Sequence, residues 1–175
     1  QADHFANTPM GEWFNLIIGL SKPFYSLLMA ILSMLSLHLE TAGIIVSVAS
    51  GAVTVIMTGL LSYRVLQTSH PKNALKYSLI APWLLALHPF FIDYSGRIFT
   101  ESLFCALSLT GVYFLSQMAN SGNKRFALLA GICFGCGLLT REIGIVFLPL
   151  AFVSVFLGNQ PVKRRMILLA VLVSV

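Results

Sequence analysis

Charge is what this chain lacks. Asp, Glu, Lys and Arg make up only 10% of the 175 residues, against 57% apolar residues and a mean hydropathy of +0.86. A water-soluble domain covers itself with far more charge than this, so an ordinary soluble fold is excluded and lipid is the solvent for most of the chain. Period-2 alternation is also missing, and the apolar runs are too long for strands. Helices are the spanning structures that remain, and the expected fold class is an all-α, polytopic transmembrane bundle. Cysteine is scarce: Cys105 stands alone, and Cys133 and Cys136 form a C-x-x-C within GICFGCGLLT. A redox or zinc role needs water access or a second ligand pair, and the sequence supplies neither. The stretch is read instead as a close helix contact through the GxxxG of Gly131 and Gly135. The net charge of +5 does not mark a nucleic-acid binder, because no basic stripe is interleaved with aromatics. The chain opens on Gln1 without a secretory leader and stops within the apolar run 166–175, half the roughly 20 residues of a span. It is expected to be an internal piece of a larger membrane protein.

The charges that are present sort by sign. Arg64, Lys72 and Lys76 share one connection, Lys124 and Arg125 another, and Lys163, Arg164 and Arg165 a third, while Asp93, Arg97 and Glu101 share a different one. Placing 64–76, 119–125 and 159–165 on the cytoplasmic side puts eight of the eleven Lys and Arg residues there and no acid after residue 40, as the positive-inside rule requires. The connections at 93–101 and 141–142 then lie outside, as does Glu40. The single module expected over 1–175 has an external loop at 1–22 and spans at 41–66, 77–92, 99–118, 126–140 and 143–158, with a truncated span at 166–175. The apolar run 23–38 is short for a crossing and begins at Pro23 with Tyr25 close behind. It is expected to lie in the interface or re-enter, which keeps Asp3, Glu12 and Lys22 on the external side.

Chemistry has to come from the acid-bearing face. The segment from His88 to Glu101 sets His, Asp, Tyr, Arg and Glu between two apolar runs. It is either a solvated turn in which Arg97 pairs with an acid or a binding site, since partly buried charge at the mouth of a span usually faces a cavity or a partner. Lys22 is either a snorkelling lysine or a point charge for a lipid phosphate. The adjacent Arg141 and Glu142 either stabilise a turn or supply a second phosphate contact. Asp3 alone is an acid in a loop.

The order of these pieces carries more than any one of them. Asp3 is followed by Phe5, then by Lys22-Pro23-Phe24-Tyr25, a basic loop, the pattern P-x-x-x-x-Y-S-x-R-x-x-T-E-S-L-F from Pro89 to Phe104, and L-L-A-G-x-x-x-G-x-x-x-L-T-R from Leu128 to Arg141. This arrangement resembles the N-terminal membrane module of the GT-C glycosyltransferases. It is similar to the dolichyl-phosphate-mannose protein mannosyltransferase and lipid A aminoarabinose transferase group, and TESLF and LLTRE are also similar to the mannosyltransferases of glycolipid-anchor assembly. The resemblance covers nearly all of the chain. It implies a polyprenyl-phosphate sugar donor as co-substrate and transfer to a protein, lipid or glycan acceptor on the non-cytoplasmic face, by a single displacement with inversion.

Residue by residue, the resemblance makes Asp3 the catalytic base on the acceptor hydroxyl and puts Lys22 beside the donor phosphate, with Arg97 and Glu101 in the second external loop. Tyr25, Asp93 and Arg141 complete the expected binding set. A polyprenyl phosphate leaves as a stabilised anion, so nearby cations and one base suffice chemically. Some relatives hold a metal with an acid-x-acid pair, but Asp93 is followed by Tyr94 and Ser95, and Asp3 by His4. Metal ligands therefore stay unassigned. The host membrane is expected to be a prokaryotic plasma membrane, with the endoplasmic reticulum as the alternative. A transporter or flippase for a lipid-linked or anionic substrate is the rival reading. It predicts internal repeats and mid-span charges, whereas the charges here sit at the ends of the apolar runs.

Overall fold

The computed structural model describes residues 22–34, 37–146 and 149. Every regular element among them is helical, so the described part of the chain is all-α. In order they are α1 (Pro23–Ser33), α2 (Leu39–Ser69), α3 (Ala74–Ser78), α4 (Ile80–Ala86), α5 (Pro89–Gly96), α6 (Thr100–Ser121), α7 (Lys124–Thr140) and a 3-10 turn, Glu142–Val146. Among the described residues α2 and α6 are each long and apolar enough to cross a membrane. The stretch from α3 to α5 makes a third span if its bent halves are counted as one.

Burial is inverted relative to a soluble protein. Ser47, Thr54, Ser78 and Thr140 are almost completely buried, whereas Ile56, Val65, Leu84 and Phe90 are exposed. This is the pattern of helices that associate through small and hydroxyl residues and turn their large aliphatic side chains to lipid. The buried face of α2 consists of Ala42, Gly43, Val46, Ser47, Ser50, Gly51 and Thr54, a recurrence of about four residues that makes one helical stripe. The hydroxyls on it are satisfied locally where helix geometry permits: Thr54 Oγ1 donates to the Ser50 carbonyl at 2.8 Å.

The chain from α4 to Phe99 runs back along that stripe in antiparallel register. A Cβ added at Gly59 would stand 3.4 Å from Pro82, one at Gly51 would meet Ser95 at 2.6 Å, and one at Gly43 would meet Ile98 at 3.0 Å. A side chain at Gly51 would push the returning segment away and one at Gly43 would crowd it, while at Gly59 the two chains are in ordinary contact.

The stretch expected as one span over 77–92 is not one continuous helix. It breaks at Leu79 and again at His88, and the stretch Ala74–Ala86 meets Pro89–Gly96 at 62°. Two prolines cause the breaks. Pro82 lacks the N–H that would bond to the Ser78 carbonyl, and its ring clashes with that group in a continuous helix. Pro89 drives the preceding His88 out of helical space, to φ −71° and ψ 122°.

The second half is a tight antiparallel hairpin. Gly122 closes α6 in the left-handed region at φ 60°, and the Asn123 side chain caps α7 by accepting from the Arg125 N–H at 3.1 Å. Phe134, Leu115, Met118, Ala127 and Ala130 form the seam, with the Phe134 ring seated directly over Gly111. The expected partner of Gly131, Gly135, is only partly buried, while Gly137 is buried. The contact face of α7 thus drifts away from the simple GxxxG pair. At 17 residues, α7 is about 26 Å long, at the short end of the range for a membrane span. The run expected over 143–158 begins as the 3-10 turn, and beyond Val146 it lies outside the described residues apart from Pro149, as does 166–175.

At the opposite end from the acids, Arg64 ties α2 to α6. Its guanidinium donates to Ser116 Oγ at 2.9 Å and Gln117 Oε1 at 2.6 Å, and lies 5.6 Å from the centre of the Tyr113 ring. A charge so placed is held by neutral acceptors and an aromatic face.

A branched side chain at Gly111 would collide with a buried ring that has nowhere to go. Gly111→Val is expected to lower stability by roughly 1–3 kcal/mol, read as a fall in Tm of the detergent-solubilised protein. Adding Phe134→Leu should recover a substantial part of the loss; no recovery would show that the Phe134 contact does not set the hairpin spacing.

Candidate functional site

Because α6 and α7 are antiparallel, the first turn of α6 and the last residue of α7 arrive at the same end of the bundle. Glu101 lies in that first turn, where the helix dipole favours a carboxylate. Arg141 follows Thr140 as the cap of α7, its N–H bonded to the Gly137 carbonyl at 2.9 Å. Arg141 Nη1 donates to Glu101 Oε1 at 2.6 Å across 40 positions of sequence. The two side chains are about one-third exposed, 36% and 32%, which places the pair at the rim and out of the seam. Thr100 Oγ1 donates to the other carboxylate oxygen at 3.4 Å.

One turn earlier in the chain, Arg97 Nη2 pairs with Asp93 Oδ1 at 2.8 Å across the end of α5. Arg97 has left the helix for extended geometry, and its side chain is 66% exposed. Such a pair adds little to stability and leaves most of a guanidinium's donors for another partner. The segment is fastened from behind. Ser102 Oγ donates to the Tyr94 carbonyl at 3.0 Å, and the Tyr94 and Phe99 rings meet edge to face at 5.4 Å.

Tyr25 is sunk into the packing of α1 with Val46 and Leu103, only 5% exposed. Its hydroxyl donates to the Gly43 carbonyl at 3.2 Å and also lies 3.2 Å from Ser47 Oγ, which in turn donates to the Phe99 carbonyl at 3.4 Å. Three chain segments are thus joined beneath the charged rim by one tyrosine and one serine. Lys22 is exposed at the N-terminal cap of α1, where its carbonyl accepts from the Ser26 N–H at 3.3 Å. α1 packs on both α2 and α7.

The structure therefore brings Glu101 directly to Arg141 and Asp93 to Arg97, and puts Tyr25 under them. It draws no contact from Lys22 to any of these side chains. Asp3 lies outside the described residues. No three His, Cys, Asp or Glu side chains are grouped among the described residues as a metal ion would need, and both paired carboxylates already face arginines. These residues do not fit a metal site. The hydroxyls of Ser47, Thr100 and Ser102 form the support of the rim, and a reading by charge alone passes over them. Their signal was the stripe of small residues on α2 and the T-E-S run at the start of α6.

A bundle with lipid-facing aliphatics, a bent helix and charge gathered at helix ends defines an integral membrane protein with a polar site at one rim. A family model described as dolichyl-phosphate-mannose-protein mannosyltransferase matches residues 21–175. The chain belongs to that family of membrane glycosyltransferases, in accord with the GT-C resemblance of its motifs. No curated protein and no solved structure matches it at a significant level.

If the two ion pairs differ as their burial implies, a double-mutant cycle will separate them. Glu101→Gln with Arg141→Gln should show a coupling of about 1 kcal/mol, and Asp93→Asn with Arg97→Gln less than about 0.5 kcal/mol, both from thermal unfolding in detergent. Equal couplings would remove the distinction between a structured rim pair and a solvated one.

Proposed function

We propose that this chain forms the donor-binding and catalytic side of a polyprenyl-phosphate-dependent glycosyltransferase, which transfers its sugar with inversion to a protein, lipid or glycan acceptor on the non-cytoplasmic face. The observation that carries this reading is the gathering of Arg97 and Arg141 at one rim of the bundle, each steered by a carboxylate, in a chain of the mannosyltransferase family. The face is assigned from the charge pattern. The rim holds the Asp93 to Glu101 connection, and the other end carries Arg64, Lys72, Lys76, Lys124 and Arg125.

The chemistry asks little of such a site. The bond from the sugar carbon to the phosphate oxygen breaks as the acceptor oxygen attacks from the opposite side, and the departing lipid phosphate needs no proton. It needs positive charge already in place where negative charge accumulates. Arg141 is held by Glu101 through one nitrogen, which leaves further N–H groups to meet phosphate oxygens. Arg97 lies on the more exposed side and would meet the same group or the sugar. Lys22 supplies a third cation from α1. Tyr25 acts from below, keeping α1, which carries Lys22, against α2. Asp3 is the base that takes the acceptor proton.

Transfer from a labelled polyprenyl-phosphate sugar, in membranes expressing the full-length protein at matched levels, tests these roles. Asp3→Asn is expected to lower transfer by roughly 10²- to 10⁴-fold with donor binding retained, and Arg141→Gln to weaken donor binding as well as turnover. Unchanged transfer in Asp3→Asn removes it from the mechanism. Wild-type inactivity with every donor offered would count against the transferase reading and favour the transport one.

A further inference from the structure

Away from the charged rim, α2 and the α3–α4 segment diverge and leave a groove of about 650 Å³, within the size range of small-molecule sites. Gly59, Leu60 and Tyr63 line one wall, and Leu79, Pro82 and Trp83 the other. Leu60, Leu79 and Trp83 are 39%, 50% and 63% exposed, so the trough is open to its surroundings. Its origin is the proline break: Pro82 approaches α2 at Gly59, while the kink at Leu79 carries the chain away from it. From Val55 to Tyr63 the wall on α2 is about 12 Å long, a fit for part of a hydrocarbon chain.

The connection from α2 to α3, next to the Tyr63 and Leu75 end of this groove, runs from His70 to Asn73. The connection carries Lys72 and α3 carries Lys76, both exposed, and neither has an ion-pair partner among the described residues. No Asp or Glu occurs anywhere between Glu40 and Asp93, so neither wall offers a counter-charge. Tyr63 at the same end and Tyr77 beside Lys76 are the amphipathic aromatics expected where hydrocarbon gives way to headgroups.

We propose that this groove is a binding site for an anionic phospholipid, with one acyl chain lying between α2 and α4 and the phosphate held by Lys72 and Lys76. A zwitterionic lipid would fill the trough equally well but would bring no net charge to the two amines, and a helix packed there would leave them unpaired unless it carried its own acids. The site lies at the basic end of the bundle, at the other end from the Glu101–Arg141 rim. It depends on the membrane setting and not on the transferase reading, and none of the readouts below uses sugar transfer.

The test is native mass spectrometry of the full-length protein in detergent, titrated with phosphatidylglycerol or phosphatidylcholine of identical acyl chains. Wild type is expected to retain phosphatidylglycerol over phosphatidylcholine by on the order of tenfold. K72Q with K76Q should erase that preference while lipid of either kind still binds, and L79W, which fills the trough, should lose both. A phosphatidylglycerol with a diazirine in its tail should label the peptide containing Leu79 and Trp83, a readout that needs no variant. Equal retention of the two lipids, a preference untouched by the lysine changes, or label found elsewhere would overturn the proposal. Displacement of phosphatidylglycerol by an equimolar polyprenyl phosphate would overturn it too, by assigning the groove to the sugar donor's carrier.

Discussion

The close approach of a returning, broken helix to the small-residue face of α2 is the constraint on which the rest of the arrangement rests. Lipid offers no hydrophobic drive for helices to associate, so packing has to be gained by contact, and contact requires that the backbones come near. Gly43, Gly51 and Gly59 permit this at intervals of eight residues, with Ser47 between the first two supplying a hydroxyl to the joint. Where the approach is closest, at Gly51, the buried Ser95 hydroxyl has no hydrogen-bond partner, a local cost of bringing the segment in. The gain is position: α5 ends beside the start of α6, so Asp93, Arg97 and Glu101 share one end of the bundle.

The hairpin of α6 and α7 completes that end by simple geometry. Once Gly122 and Asn123 turn the chain, two antiparallel helices must return Arg141 to the neighbourhood of Glu101. The Phe134 ring over Gly111 and the Arg64 link from α2 to α6 hold the two seams that this return requires. Charge is thereby divided between the ends. Among the described residues Asp93 and Glu101 stand with their arginines at one, and Lys72 and Lys76, without an ion-pair partner, stand at the other, next to an apolar trough.

Much of this was legible in the sequence. The dearth of charge and the length of the apolar runs point to membrane helices, and the ordered motifs from Pro89 to Arg141 point to the family that the match over residues 21–175 shows. The nearness of Arg141 to Glu101 was harder to read, because it needs the helix lengths and the turn at Gly122 together; the motifs placed both in the candidate set without pairing them. The break within 77–92 escaped a reading based on hydropathy, since Pro82 and Pro89 do not interrupt an apolar run although they interrupt its backbone. Tyr25 was legible as a member of the expected binding set, but its burial was not, because that depends on how α1 lies against α2, which no local pattern encodes. Gly43, Gly51 and Gly59 were visible only as small residues; their meaning needs the partner helix.

The central claim is that the donor phosphate sits at the acid-bearing rim, and its most direct measurement is photolabelling with a polyprenyl-phosphate donor analogue that carries the reactive group beside the phosphate. Label mapped to the 93–101 connection and to the peptide around Arg141 is the predicted result. Label concentrated instead at the basic end, in peptides containing Lys72 and Lys76 or Lys124 and Arg125, would contradict the account.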